Sequence, residues 1–310
     1  MAKLLVVVGA TGQQGRSIIQ SVLEDPQLNK LYTIRGTTRN VDSNKAQALA
    51  SKGIEIVQAN VDDPESLRKA FSGADVVYAN TVTIYDGRTR EHEVEQGRAL
   101  ADAAVASKVP FYIWMTLPNC AKISAGKFEK NGHFDGKEEV EQYIRTLPIR
   151  SAFFSPGSFM SNFHDTTAPR PAGDGTYAWA GPARPETQLP LIDTAADTGK
   201  WITAILADFD RFEGKVFTCA TKLYTLQEAS EIMSNVSGKT IVYKQVPADV
   251  FKSFLPPTMA DHVTEMLLYF QNYGYWGPGT EDKVAWSAAQ ARGKLTTLEE
   301  YLRARPLSLD

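Results

Sequence analysis

Residues 3–15 read Lys3-Leu4-Leu5-Val6-Val7-Val8-Gly9-Ala10-Thr11-Gly12-Gln13-Gln14-Gly15. The run Lys3–Val8 is apolar on both alternations, which marks a strand covered on both faces. Gln14–Leu23 reads as an amphipathic helix. A glycine-spaced turn between a buried strand and a helix is a dinucleotide-binding loop. Gly9 permits the tight turn, Gly12 lets a pyrophosphate approach the main chain, and Gly15 lets the helix pack against the strand. With Thr11, Gln13 and Gln14, the turn offers its free N–H groups to phosphate at a helix N-terminus.

The alternation continues outward from this turn. Tyr32–Thr38, Ile54–Gln58, Ala74–Ala79, Phe111–Met115 and Ile149–Phe154 read as strands, and Lys45–Ser51, Glu91–Ser107 and Lys137–Arg145 as helices. A further helix starts at Asp63-Pro64-Glu65-Ser66. There the Asp caps free N–H groups, Pro suits the first turn and Glu meets the positive dipole end. Apolar strands separated by helices predict a parallel sheet wound on both faces by right-handed crossovers. The expected fold is α/β, with a Rossmann-type doubly wound parallel sheet over residues 1–155 and ligands bound beyond the strands' carboxyl ends.

After Ser155 the pattern changes. Ala168–Pro185, rich in Pro, Gly and Ala, reads as a loop. Helices are expected at Asp193–Leu206, Leu226–Val236, Ala248–Phe254, Asp261–Tyr269 and Thr296–Arg303, and strands at Gly214–Cys219 and Thr240–Val246. Thr225-x-x-Glu228 has the spacing of a capping box. Residues 156–310 are expected to form a smaller α+β lobe over the carboxyl edge that returns strands to the main sheet.

The end of the second strand selects the cofactor. An NAD site usually carries Asp or Glu there, bonded to the ribose hydroxyls. This chain has Arg35-Gly36-Thr37-Thr38-Arg39-Asn40. Arg39 can grip a 2′-phosphate through two oxygens, Thr38 can add a hydroxyl, and Lys45 adds charge. The expected cofactor is therefore NADP(H). Asn60, Val61 and Asp62 follow the third strand, where adenine is read. Asn80, Thr81 and Val82 follow the fourth, beside the nicotinamide ribose.

Composition excludes several classes. The chain has 310 residues, 43% hydrophobic and 22% charged, with a net charge of −3 and no long basic run, so no nucleic-acid partner is expected. Cys120 and Cys219 are the only cysteines and the four histidines are scattered, so no metal site is read. No apolar stretch approaches the roughly 20 residues needed to span a bilayer. The N-terminal apolar run is too short for a signal peptide, which makes the expected setting cytoplasmic.

GATGQQG, the TTR end of strand two, NVDDPESLRKAFSGAD, HEVEQGRALADAA, HFDGKEEVEQYIR, PGSFMSNF and LPLIDTAADTGK together resemble the NmrA-like branch of atypical short-chain dehydrogenases. The resemblance implies a Rossmann domain, NADP(H) preference and a C-terminal lobe closing a pocket over the cofactor. It also implies a choice, because some family members sense the NADPH/NADP balance and bind proteins such as transcription factors, and others act on small molecules.

An active short-chain dehydrogenase usually carries Tyr-x-x-x-Lys. Here the spacing is His133-Phe134-Asp135-Gly136-Lys137, with the lysine kept and the tyrosine replaced. Lys137 is expected at the nicotinamide ribose, His133 as a proton carrier near neutral pH, and Thr116 in place of the usual serine. Tyr85 and Arg88, after strand four, are expected to orient substrate or donate a proton. Aromatic residues near the strand ends and in the upper lobe suggest an apolar pocket. The reading leans to an enzyme acting on a hydrophobic aromatic or amine-derived small molecule. Its reaction is carbonyl or imine reduction, or an iminium-type cyclisation such as a Pictet–Spengler reaction with NADP(H) bound. The alternative is a non-catalytic NADPH/NADP sensor with a protein partner.

Overall fold

The first strand, β1 (Lys3–Val7), shows how the sheet is covered. Leu5 and Val7 point into one core, and Val6 points into another on the opposite face. The computed structural model describes residues 2–165 and 167–309. β2 (Tyr32–Thr38), β3 (Glu55–Gln58), β4 (Val76–Ala79), β5 (Phe111–Met115) and β6 (Arg150–Pro156) join β1 in a seven-stranded parallel sheet. Its order is Val216–Cys219, β6, β5, β4, β1, β2, β3. The strand order reverses between β1 and β4, which is where doubly wound sheets open a ligand crevice. The Rossmann-type α/β expectation holds.

One face of the sheet is covered by the first helix, Gln13–Glu24, packed on the helix Thr194–Ala207. Ile18, Ile19, Val22, Trp201 and Ile205 fill that core. The other face carries the helices Pro64–Phe71, Thr89–Ala106 and Gly132–Ile144, which bury Leu67, Leu100, Trp114 and Val140. Asp63 caps its helix as read, its Oδ1 accepting from the N–H groups of Glu65 (3.0 Å) and Ser66 (3.3 Å).

Beyond Pro156 two small sheets form a third core. The stretch read as a loop over Ala168–Pro185 contains the strands Arg170–Pro171 and Tyr177–Gly181. The density of Pro and Gly hid a short alternation: Trp179 turns inward and meets the ring edges of Phe163 (5.3 Å) and Tyr243 (5.2 Å). The strands Gln188–Ile192 and Lys222–Thr225 and the helix Thr280–Gln290 were not anticipated. The helix Pro257–Tyr273 is longer than expected. The capping box at Thr225 is half formed: Thr225 accepts from the Glu228 N–H at 2.9 Å, but the Glu228 carboxylate pairs with Lys222 at 2.7 Å. No helix among the described residues is long and apolar enough to cross a membrane.

The helices Thr89–Ala106 and Gly132–Ile144 lie unusually close. A Cβ on Gly97 would meet Val140 at 2.6 Å, and one on Gly136 would meet the Glu93 Cβ at 2.8 Å. Inserting a methyl group into such a contact costs about 1–3 kcal/mol. Gly136→Ala should lower the unfolding free energy by that amount in urea titrations.

Candidate functional site

The glycine turn has the features a dinucleotide needs. Gly9 sits at φ +69°, and a Cβ on Gly15 would lie 2.5 Å from the Gly9 carbonyl oxygen. The first helix has Gly12 at its N-cap, no side-chain cap and no acidic residue in its first turn. Its N–H groups and dipole are therefore open to an anion. Gln14 is buried, and its Oε1 accepts from the Tyr78 hydroxyl (3.0 Å) and from Asn80 Nδ2 (2.8 Å). Its Nε2 is buried without a partner. A buried donor left unpaired calls for an acceptor that binds there. An orphaned amide beside a glycine cradle fits a phosphate-bearing dinucleotide.

At the end of β2, Thr38 is half-buried, and Arg39 and Lys45 are exposed with no ion-pair partner among the described residues. Arg35, on the same strand, is held by Glu55 at 2.9 Å and by the carbonyls of Ala70 and Ser72. In the loop after β3, Asn60 accepts from the Asp62 N–H at 3.2 Å, Val61 is half-buried and Asp62 is exposed. After β4, Asn80 faces Gln14, Thr81 is buried, and Val82 is 70% exposed. Gly9, Thr11, Gly12, Gln13, Gln14, Gly15, Asn80 and Thr81 thus gather at the reversal of strand order.

Lys137 is buried in a polar network. Its ammonium is 2% exposed and bonds the Glu93 carboxylate at 2.6 Å and the Thr81 hydroxyl. Thr81 also donates to Glu93, and Thr83 donates to its other oxygen at 2.7 Å. The lysine is therefore held by a carboxylate and by a hydroxyl from the segment after β4. Burial pushes the Lys137 ammonium below its usual range, against the pull of Glu93. Glu93 was missed, although its position gave a signal. It shares a helical stripe with Gly97, Leu100, Ala101 and Ala104, and a carboxylate on an apolar stripe needs a buried partner.

His133 occupies the first turn of the Lys137 helix, and its Nδ1 is sealed from solvent with no partner. Its ring lies 4.6 Å from Phe134, 6.1 Å from Tyr85 and 4.5 Å from His262. Burial holds the imidazole well below its usual range, and neighbouring His262 and Lys137 add to this. Burial raises the Tyr85 phenol to about 12, with Glu93 contributing. Burial thus favours the protonated phenol of Tyr85 and the neutral ring of His133. His262, on the helix Pro257–Tyr273, was missed because nothing in the sequence linked that helix to strand four.

Other expected residues do not join this cluster. Arg88 is 62% exposed and pairs with Glu95 at 3.7 Å, pointing away along its helix. The Thr116 hydroxyl donates to the Lys137 main-chain carbonyl at 3.4 Å and borders a separate groove with Glu141, Ser155 and Thr218. Most of the aromatic set is core. Trp114, Phe153, Phe154, Tyr269, Phe270, Tyr275 and Trp276 are buried, and Trp276 Nε1 donates to Ser155 at 2.8 Å. Tyr85 is the aromatic that stands in the site.

The NmrA-like family model matches residues 1–302. The chain belongs to the NmrA-like family. An NmrA-like family domain-containing protein of Dictyostelium discoideum is 30% identical over all of both chains. The NmrA-like oxidoreductase FrzB of Cladobotryum sp is 27% identical over 98% of this chain and 97% of its own. The oxidoreductase himF of Aspergillus japonicus is 30% identical over 98% of each. Among solved structures, NmrA, a negative transcriptional regulator in complex with NADP, superposes with TM-score 0.81 at 22% identity, covering 98% of this chain and 95% of that one. The Citrobacter sp. triphenylmethane reductase complexed with NADP(H) gives 0.77 at 22% identity, covering 97% and 99%. These two structures share the fold of this NmrA-like chain.

The Glu93–Lys137 pair makes a double-mutant test. Lys137→Met leaves a carboxylate buried alone and should cost about 3–5 kcal/mol. Adding Glu93→Gln should restore most of that loss, as read by urea unfolding of the single and double variants.

Proposed function

We propose that this NmrA-like protein binds NADP(H) and reduces a C=O or C=N group of a hydrophobic small molecule. The observation that carries this reading is the cluster of Tyr85, His133 and the buried Lys137–Glu93–Thr81 network at the end of β4. Shifted titratable groups gathered at a sheet's ligand crevice are arranged for proton transfer more often than for packing. The oxidoreductase names of FrzB and himF, which align over nearly the whole chain, support the same class.

The roles follow from the geometry. The turn Gly9–Gly15 and the helix N-terminus hold the pyrophosphate, and Gln14 Nε2 gains its missing acceptor. Arg39 and Lys45, exposed and unpaired, grip the 2′-phosphate. Bound NADPH supplies the hydride. Tyr85 supplies the proton that the substrate oxygen or nitrogen takes up, replacing the tyrosine absent from the Lys137 helix. Glu93 and Lys137 fix Thr81 where the ribose and substrate meet.

The alternatives make different predictions. An iminium cyclisation consumes no NADPH, and a sensor changes shape between NADPH and NADP+ with no turnover. NADPH oxidation with quinones, aldehydes and cyclic imines should therefore show turnover. Tyr85→Phe should reduce it on the order of 10²-fold with cofactor affinity unchanged. Absence of turnover across the panel, with scattering profiles that differ between cofactor states, would move the assignment to the sensor.

Arg39→Glu tests the cofactor separately. It should weaken NADPH by about 2–4 kcal/mol and leave NADH nearly unaffected, by titration calorimetry.

A further inference from the structure

Every group in the proposed reaction has a place except one. His262 comes from a helix far along the chain and is 92% buried (8% exposed) against Tyr85 and His133. Its Nδ1 lies 2.8 Å from the Lys130 carbonyl oxygen. A carbonyl can only accept, so Nδ1 carries the hydrogen. In the neutral ring Nε2 is then left as the acceptor.

We propose that His262 is a positioning residue for His133, completing a two-imidazole unit that holds and reloads the proton of the Tyr85 site. The proposal rests on the reduction described above. There, carbon gains the hydride and oxygen or nitrogen gains the Tyr85 proton. One imidazole of the pair then takes a proton from solvent to become an imidazolium, passes it to the phenolate and returns to the neutral form, so the net uptake is one proton from solvent.

The surroundings favour this arrangement. The rings are 4.5 Å apart, so a charge on one opposes a charge on the other and the pair holds at most one proton. Lys137 and Glu93 face the pair from their two helices as a closed ion pair. Tyr85 faces it from the loop after β4, and burial keeps its phenol protonated. On the His262 helix, Glu265 accepts the Lys130 N–H at 2.9 Å and so fixes the carbonyl that orients His262. Burial also lowers the affinity of His262 for a proton, against its bond to Lys130.

With four histidines in the chain, nitrogen-15 imidazole spectra can follow each ring. His92→Gln and His164→Gln complete the assignment. In the 310-residue chain with NADP+ added, His262 should show the Nδ1–H tautomer, and both rings should titrate below pH 6.5, their ordinary midpoint. His262→Asn keeps a donor for the Lys130 carbonyl. It should move the His133 titration upward by roughly one pH unit. In turnover of a substrate found in the panel above, it should lower kcat on the order of 10-fold or more at an unchanged KM and shift the acid limb of the pH profile. His262→Gln, which places its amide near the Nε2 position instead, should lose the bond to the Lys130 carbonyl and lower kcat further. An unmoved His133 titration in His262→Asn overturns the proposal, whatever the panel yields. Coupled titrations with no turnover of any substrate overturn the catalytic reading and with it the proton-reloading role, so the two failures are distinguishable.

Discussion

Glu93 and Lys137 lie between two helices that approach each other only because Gly97 and Gly136 carry no side chain at the contact. A carboxylate and an ammonium removed from water are costly unless each meets the other and their remaining hydrogen-bonding capacity is filled. Thr81 and Thr83 fill it for Glu93, and both come from the segment that follows β4. The ion pair therefore ties that segment to the helices, and Tyr85 is placed by the same constraint. The chemistry proposed at the carboxyl edge rests on this contact.

The cofactor half of the site was legible because its demands are local. A turn needs glycine at fixed offsets, a helix start needs free N–H groups, and a 2′-phosphate needs a cation instead of a carboxylate at the end of β2. Each requirement falls within a few residues of sequence: Gly9 and Gly15 make the tight turn, and Arg39 is exposed after β2. The parallel sheet was legible for the same reason, since a strand covered on both faces writes its burial into consecutive residues. The loop over 168–185 was misread because turn-forming residues outnumber the few that alternate.

The reacting half is assembled from separate parts of the chain, and its signals were correspondingly weaker. Lys137 was found by its spacing from the missing tyrosine, but the partner that holds it lies on another helix. His262 meets His133 only through the packing of the C-terminal lobe, which local periodicity does not describe. The aromatic residues misled in the other direction. Their abundance suggested a pocket lining, but Tyr269 stacks on Tyr273, Tyr275 stacks on Phe270, and Trp276 tilts against Tyr275, so these rings pack the lobe itself. A ring count alone cannot separate a cavity wall from a core.

The seventh strand, Val216–Cys219, closes the sheet against β6 only after residues 157–215 have been made. During synthesis β6 must wait with an open edge while those residues are made. Non-local pairing of this kind is slow and leaves apolar surface unguarded. The helix Thr280–Gln290, whose Ser287 hydroxyl accepts the Thr218 N–H, arrives later still. A nascent chain of this protein is thus exposed to mispairing at β6 until Val216–Cys219 has emerged, and chaperone dependence in the cell would concentrate at that edge.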